Sequence, residues 1–232
     1  MSFISALQLG SSVQNTGSWT GITVPANAKL AVLSCDGFSS GSTNPFTEQT
    51  GGALPTLGGS SMSCPDTGHL QDATDASHQG GTFYLINPST GSGKTLAWDW
   101  KNSIVFSSGD PGIYLLSFFD NVVTGVRAVG GQQHTGTSMT AGSIAAQAGD
   151  LLIGCASLFG GLSVSWSGVA ATSQATYADE GSSVFISSGT ATGATTVSFT
   201  CTSTDGGIFA MAMIPAAGGF KPAWAAGANS FI

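Results

Sequence analysis

Lys29-Leu30-Ala31-Val32-Leu33, followed by Phe38, returns 121 positions later as Asp150-Leu151-Leu152-Ile153-Gly154, followed by Phe159. Two further echoes keep the same order. Phe83-Tyr84-Leu85-Ile86 and Lys94-Thr95-Leu96-Ala97-Trp98-Asp99-Trp100 come back at an offset near 101 as Ser183-Val184-Phe185-Ile186 and Thr195-Thr196-Val197-Ser198-Phe199-Thr200-Cys201. Gly112-Ile113-Tyr114-Leu115-Leu116-Ser117-Phe118-Phe119-Asp120 returns 95 residues later as Gly207-Ile208-Phe209-Ala210-Met211-Ala212-Met213-Ile214-Pro215. An offset that shrinks while the order holds is what loop trimming between two copies of one scaffold produces, because connections tolerate length changes better than strands do.

The echoes themselves are strand-like. Leu96, Trp98 and Trp100 alternate with polar or small residues, as do Val197, Phe199 and Cys201, which predicts strands buried on one face and wet on the other. Tyr114-Leu115-Leu116 and Phe209 to Ile214 are apolar at consecutive positions, which predicts strands covered on both faces. Gly-Ser-Thr clusters at Ser89 to Gly93 and Gly189 to Gly193 separate consecutive runs in the manner of hairpins. Five strands are expected per copy, near 29–36, 54–62, 82–87, 94–100 and 112–120, then near 150–157, 162–169, 183–188, 194–202 and 207–215. No window carries a helical stripe. The expectation is an all-β, antiparallel, jelly-roll-like sandwich of two pseudo-repeats with almost no helix. It divides at 1–125 (first repeat with its lead-in), 126–217 (a linker and the second repeat) and 218–232 (a C-terminal arm).

Composition excludes several functions. Charged residues make up 7% of the 232, against about 25% in an ordinary domain, while 41% are apolar; that balance is the reverse of a disordered chain. With five cations against twelve acids and a net charge of −7, the chain has no basic stripe for phosphates, so nucleic acid and membrane are not expected as partners. Met1 to Gly10 lacks the basic and apolar regions of a secretory signal, and no run of about 18 apolar residues suggests a membrane span. Cys35, Cys64, Cys155 and Cys201 show no C-x-x-C spacing and read as buried thiols or, after release into an oxidising medium, as disulfides. Cys35 and Cys155 fall one position out of register between the copies and so on opposite faces of their strands.

Chemistry has few footholds. Asp66, His69, Asp72, Asp75 and His78 recur every three residues in what reads as an insertion confined to the first copy. They are the candidate metal ligands, although a repeat of three drifts around a helix and a solvated loop explains them as well. Gly37-Phe38-Ser39-Ser40-Gly41 fits G-x-S-x-G without the helix a nucleophile elbow needs. Gly93-Lys94-Thr95 resembles the end of a phosphate loop, but Pro88 stands where its first glycine belongs. Neither supports catalysis; no enzyme activity and no cofactor are expected. Trp98 and Trp166 read as core residues, and the alternative is a sugar-stacking platform. Trp19, together with Phe220, Trp224, Phe231 and Ile232 of the apolar tail, are the candidate assembly residues, because exposed aromatic segments need a partner.

The lead-in ending Val24-Pro25-Ala26, the strand Lys29-Leu30-Ala31-Val32, the hairpin around Lys94-Thr95-Leu96, the second lead-in Gln147-Ala148-Gly149-Asp150-Leu151-Leu152-Ile153 and the close on Ala212-Met213-Ile214-Pro215-Ala216 together resemble the duplicated β-sandwich modules of bacteriophage structural proteins and bacterial surface proteins. The likeness spans about residues 20–216. The tail is similar to short aromatic tails of phage virion proteins. The resemblance implies a fold and a setting, the virion, and carries no functional residue across. It leads to the expectation of a virion structural protein, either capsid decoration or a head or tail fibre component, whose partners are other virion proteins or further copies in a homo-oligomer. The alternative is a receptor-binding module for host-surface glycans.

Overall fold

The structure, a computed structural model, describes residues 3–12, 16–38, 53–65, 69–71, 78–100, 112–133, 138–159, 164–169, 171–179, 182–202 and 206–216. Every element among them is a β-strand. The first half contains β1 (Phe3–Ser12), β2 (Thr16–Val24), β3 (Leu30–Phe38), β4 (Ala53–Leu57), β5 (Ser60–Ser61), β6 (His69–Gln71), β7 (His78–Ile86), β8 (Gly91–Asp99) and β9 (Gly112–Phe119). The second contains β10 (Val123–Gln133), β11 (Met139–Ala146), β12 (Leu151–Phe159), β13 (Val164–Ser167), β14 (Ala171–Asp179), β15 (Ser182–Thr190), β16 (Thr195–Cys201) and β17 (Gly206–Pro215). All ladders are antiparallel.

Four sheets result. The first half folds an inner sheet in the order β1-β9-β3-β7-β6 and an outer sheet β2-β8-β4-β5; the second folds an inner sheet β10-β17-β12-β15-β14 and an outer sheet β11-β16-β13. Taken strand for strand, the two inner orders are the same. The two outer orders match as well, apart from the short β5.

Three cores separate the four layers. Ile22, Val24, Leu57, Leu96 and Trp98 of the first outer sheet face Ala31, Leu33, Cys35, Phe83, Tyr114, Leu116 and Phe118 of the first inner sheet. Met139, Ala141, Ile144, Val197, Phe199 and Cys201 meet Leu152, Ala156, Ile208, Ala210 and Ala212 in the same way at the far side. Between these, the inner sheets pack on each other through Leu30, Val32, Ile113, Leu115 and Phe119 on one side and Leu151, Ile153, Cys155, Val184, Ile186, Phe209, Met211 and Met213 on the other. Covering both faces of β9 and β17 explains why Gly112–Phe119 is buried at every position and Gly206–Met213 likewise. Each large side chain turned inward contributes about 1.5–3 kcal/mol.

The strand ladders correct several expectations. Leu30 stands opposite both Ile86 and Phe119, and its counterpart Leu151 opposite both Thr190 and Met213, so β9 maps onto β17 at an offset of 94, one less than the sequence echo. The difference decides the packing, since a one-residue slip turns a strand over: at 94, Tyr114, Leu116 and Phe118 correspond to Ile208, Ala210 and Ala212, and both sets face an outer sheet. The stretch leading to Val24 and the linker ahead of the second repeat are themselves strands, β2, β10 and β11. The single strand expected at 54–62 is a hairpin, β4 and β5, turned by Gly58 and Gly59 at φ 59° and 82°. Ala171–Asp179, not expected as a strand, is β14. Its position at the edge of the inner sheet is held in the first half by β6, so the stretch around His69 is not wholly an insertion confined to that half.

Irregularity spares the middle of the inner sheets. Register shifts interrupt β1–β9, β2–β8, β10–β17, β11–β16 and β14–β15, each of which includes an edge strand, and also β4–β8 inside the first outer sheet. The central ladders β3–β7, β3–β9, β12–β15 and β12–β17 run unbroken. Bulges twist an edge away from further pairing.

Close packing against Phe199 calls for a glycine at position 154. A Cβ on Gly154 would meet the Phe199 ring at 2.7 Å, whereas one on Gly142 would meet nothing within 4 Å. Gly154→Ala is expected to lose roughly 1–3 kcal/mol in a urea titration through overpacking, with Gly142→Ala close to neutral; equal effects would place Phe199 elsewhere.

Candidate functional site

The candidate ligands at 66–78 do not assemble into a described site. Asp66, Asp72 and Asp75 lie outside the described residues, and His69 and His78 are described through their backbones alone. His69 stands opposite Gly81 and His78 opposite Phe38, so His78 is three residues along β7 from the position facing His69. Among the described residues no group of three or more His, Cys, Asp or Glu gathers to hold a metal ion.

The tryptophans turn inward. Trp98 and Trp100 are buried. Trp98 packs on Tyr114 with ring centroids 4.8 Å apart, Trp100 stacks on Phe83 at 5.4 Å, and the Trp100 indole Nε1 donates to Tyr114 Oη at 2.9 Å. Trp166 packs on Phe199 at 4.8 Å and donates to Ser187 Oγ at 3.1 Å. Trp19, expected outside the core as an assembly residue, instead lies half-buried against it, 5.9 Å from Trp98. Its ring closes the flank of the first sandwich over Gly10, where a Cβ would come within 3.3 Å of Cη2. Ile144 closes the second flank over Gly130 in the same manner. Phe220, Trp224, Phe231 and Ile232 lie outside the described residues.

Two polar constellations emerge that sequence reasoning missed. The first is the pair Arg127 and Asp150. Arg127 donates through Nε to Asp150 Oδ2 at 2.6 Å and through Nη2 to Oδ1 at 3.2 Å, while the Gln147 amide donates to Oδ2 at 2.8 Å. Asp150 is fully buried and the Arg127 side chain 26% exposed; the hydrogen bond to the carboxylate raises the guanidinium pKa. This fork ties β10 to the start of β12. The signal was available, since Asp150 replaces Lys29 in the echo and Arg127 is the one arginine of the chain.

The second constellation is a polar seam between the inner sheets. Asp36 and Ser157, both buried, are joined by a hydrogen bond from the serine hydroxyl to Asp36 Oδ1. Ser34, Thr82, Ser117 and Ser188 are buried too. Burial pushes the Cys155 thiol up to about 11, against a smaller pull from the hydroxyls of Thr82 and Ser34. Cys35, on the opposite face, is raised by burial and then by the Asp36 charge. Cys201 reaches about 11 through burial. All four cysteines are free, and Cys64 alone is half-buried, its thiol donating to Pro65 O at 3.3 Å. The seam joins layers.

Two open grooves flank the contact between the halves. One, of about 270 Å³, lies between Cys64, Pro65 and Tyr84 and residues 126–129 of β10. The other, of about 520 Å³, lies between Phe3 to Gln8 of β1 and Ala175 and Thr176 of β14, where Gln8 Nε2 donates to Thr176 O at 3.0 Å. Their linings mix polar and apolar surface, and the one full charge among the described lining residues, Arg127, is paired with Asp150.

Fold and site together define an all-β protein of four stacked antiparallel sheets. Comparison of the chain with known protein families, with curated proteins and with solved structures returns no match.

The buried thiols set an alkaline limit on stability. A group whose pKa is 9.0 in the open chain and about 11 when folded keeps its proton in the native state over a range where the unfolded state has released it, so stability is level below pH 9 and falls as pH rises from 9 towards 11. Melting temperature is expected to fall across that window, and less steeply in the Cys155→Ala/Cys201→Ala variant. A thiol reagent at neutral pH should modify Cys64 first; rapid labelling of Cys35 or Cys155 in the folded protein would contradict the packing.

Proposed function

We propose that the protein is a structural component of a bacteriophage virion, a capsid decoration or head or tail fibre component, that acts through protein-protein assembly. The observation that supports this reading most directly is the four-layer stack. Its central strands are covered on both faces and run in unbroken ladders, which makes a block of fixed dimensions, while its long edge strands are bulged. A bulged edge resists strand addition, so partners are met through the outer faces, the grooves or the terminal segments. The low charge of the surface suits close contact with neighbouring subunits, whose interface cores are depleted in charge.

The duplicated, jelly-roll-like reading of the fold belongs to the same proposal. In each half the strands, renumbered in order without β5, follow 1-8-3-6-5 in one sheet and 2-7-4 in the other, and a jelly roll likewise folds eight strands into two facing sheets. The glycan-binding reading rested on indoles presented as stacking platforms. Among the described residues Trp98 and Trp100 lie inside the first core and Trp166 is bonded to Ser187, so these three indoles offer it no platform, and the loops at one end of the sandwich are where it would have to act.

The tail provides the test. Phe220, Trp224, Phe231 and Ile232 are each worth roughly 1.5–3 kcal/mol on burial, before the entropy of ordering the segment is subtracted, enough to drive attachment. Truncation after Gly219 removes them and spares β17 and the Ala216 N to Val122 O hydrogen bond that follows it. The truncated chain is expected to keep the melting temperature of the full chain and to disappear from density-purified particles in which mass spectrometry finds the full chain. Absence of the full chain from such particles overturns the virion reading. Equal incorporation of both chains removes the tail as the attachment element.

A further inference from the structure

The contact between the inner sheets has the form of a symmetric dimer interface. β3 lies over β15 as β12 lies over β7; β9 lies over β14 and β15 as β17 lies over β6 and β7; β1 meets β14 as β10 meets β6. Exchanging each strand for its counterpart in the other half returns the same set of neighbours, with β10 reaching β7 in addition. β3 and β12, which are each other's counterparts, touch directly. Residue i meeting j while the counterpart of j meets the counterpart of i is the mark of a two-fold, isologous contact. Head-to-tail packing of two repeats does not produce it.

The axis can be located. Leu30 corresponds to Leu151, which makes Asp36 the counterpart of Ser157, and these two residues are bonded to each other across the interface. A residue that touches its own counterpart sits on the two-fold. Gly80, opposite Asp36 in the β3–β7 ladder, leaves the room for this meeting: a Cβ there would approach Ser157 Cβ and Oγ at 2.5 Å. The covalent link between the halves is short by comparison. It runs from Phe119 to Val123 through Asp120, Asn121 and Val122, the last 43% exposed.

We infer that the inner-sheet face of each half is a recognition surface for a second copy of the same fold, a homodimer interface now enclosed within one chain, and that the link at 120–122 is dispensable once the halves have met. This stands independently of the virion reading. The axial pair has become unequal, one carboxylate and one hydroxyl, and so is specific for the pairing of first half with second. Two first halves would place two carboxylates against each other in a buried site, and like charges that close cannot both stay ionised without penalty.

The test uses the full chain with a protease site inserted between Asn121 and Val122 and cut after folding. The cut protein is expected to elute at the size of the uncut chain, and its two pieces, separated in urea, to recombine in equal amounts on dilution. Asp36→Ser, which makes the axis a serine pair, is expected to leave the cut protein intact; Ser157→Asp, which makes it a carboxylate pair, is expected to separate the pieces at neutral pH and to spare them at a pH low enough to protonate one carboxyl. Pieces of the cut wild type that part in native buffer, or that fail to recombine from urea, overturn the proposal. So does a Ser157→Asp protein that holds together at neutral pH as firmly as Asp36→Ser.

Discussion

Everything in this molecule follows from the decision to bury one sheet against another and then to cover both from outside. A sheet clad on both faces can hydrogen-bond only within its own plane, because no water reaches its backbone. Its inner strands must therefore pair without interruption, and the ladders of β3 and β12 do so for the full length of each strand. They must also be apolar, or internally satisfied, at consecutive positions. β9 and β17 meet that demand along eight residues each, from Gly112 to Phe119 and from Gly206 to Met213. Within the two inner sheets the irregularities that any twisted sheet accumulates fall in the edge ladders, where water can serve an unpaired group. The low charge of the chain has the same origin. Two of the four sheets have no wet face at all, so the places that tolerate a lysine or glutamate are the loops, the edges and one side of each outer sheet.

The polar seam is the exception within that dry stack. An apolar contact between two sheets discriminates poorly between neighbouring registers, since moving one strand by two residues returns the same face. The hydrogen bond from Ser157 to Asp36 is made only in the register that sets the two residues against each other, so it distinguishes that alignment from its neighbours. Arg127 and Asp150 do comparable work for β10, whose first residues would otherwise enter the second half along a bulged ladder.

The parts of this structure that were legible in the sequence were those with a local signature. Alternation gave β8 and β16, the doubly apolar runs gave β9 and β17, and the pairing of Lys29 to Leu33 with Asp150 to Gly154 gave β3 and β12 with the correct offset. Edge strands were missed for a physical reason. β1, β2, β10, β11 and β14 are half-buried and bulged, so neither a clean period of two nor a continuous apolar run marks them. Counting from the glycines Gly112 and Gly207 also cost one residue of register, because small residues at a strand start look alike whichever way the strand faces; only the ladder resolves it. The candidate site was less legible still. Trp19 reads as a stray aromatic in isolation, and its burial depends on Gly10, a residue of another strand. The Asp36 and Ser157 pair joins residues far apart in sequence, visible only once the two copies are turned to face each other.

The two halves solve the same topology with different volumes, and the differences compensate. Where the first half has Trp98, Trp100, Tyr114 and Trp19, the second has Phe199, Cys201, Ile208 and Ile144 at the positions set by the ladders. At the position of Leu33 the second half has Gly154, on which Phe199 rests. The first outer sheet has four strands against three, the additional one being the two-residue β5. Phe199 and Gly154 are matched to each other: a side chain at 154 would clash with the Phe199 ring, whereas either residue of the pair placed in the first half, against Trp98 and Leu33, would leave a void. The same strand order in the two halves thus rests on a shared alternation of buried and exposed positions, while the identity of each core residue is set by the one it packs against.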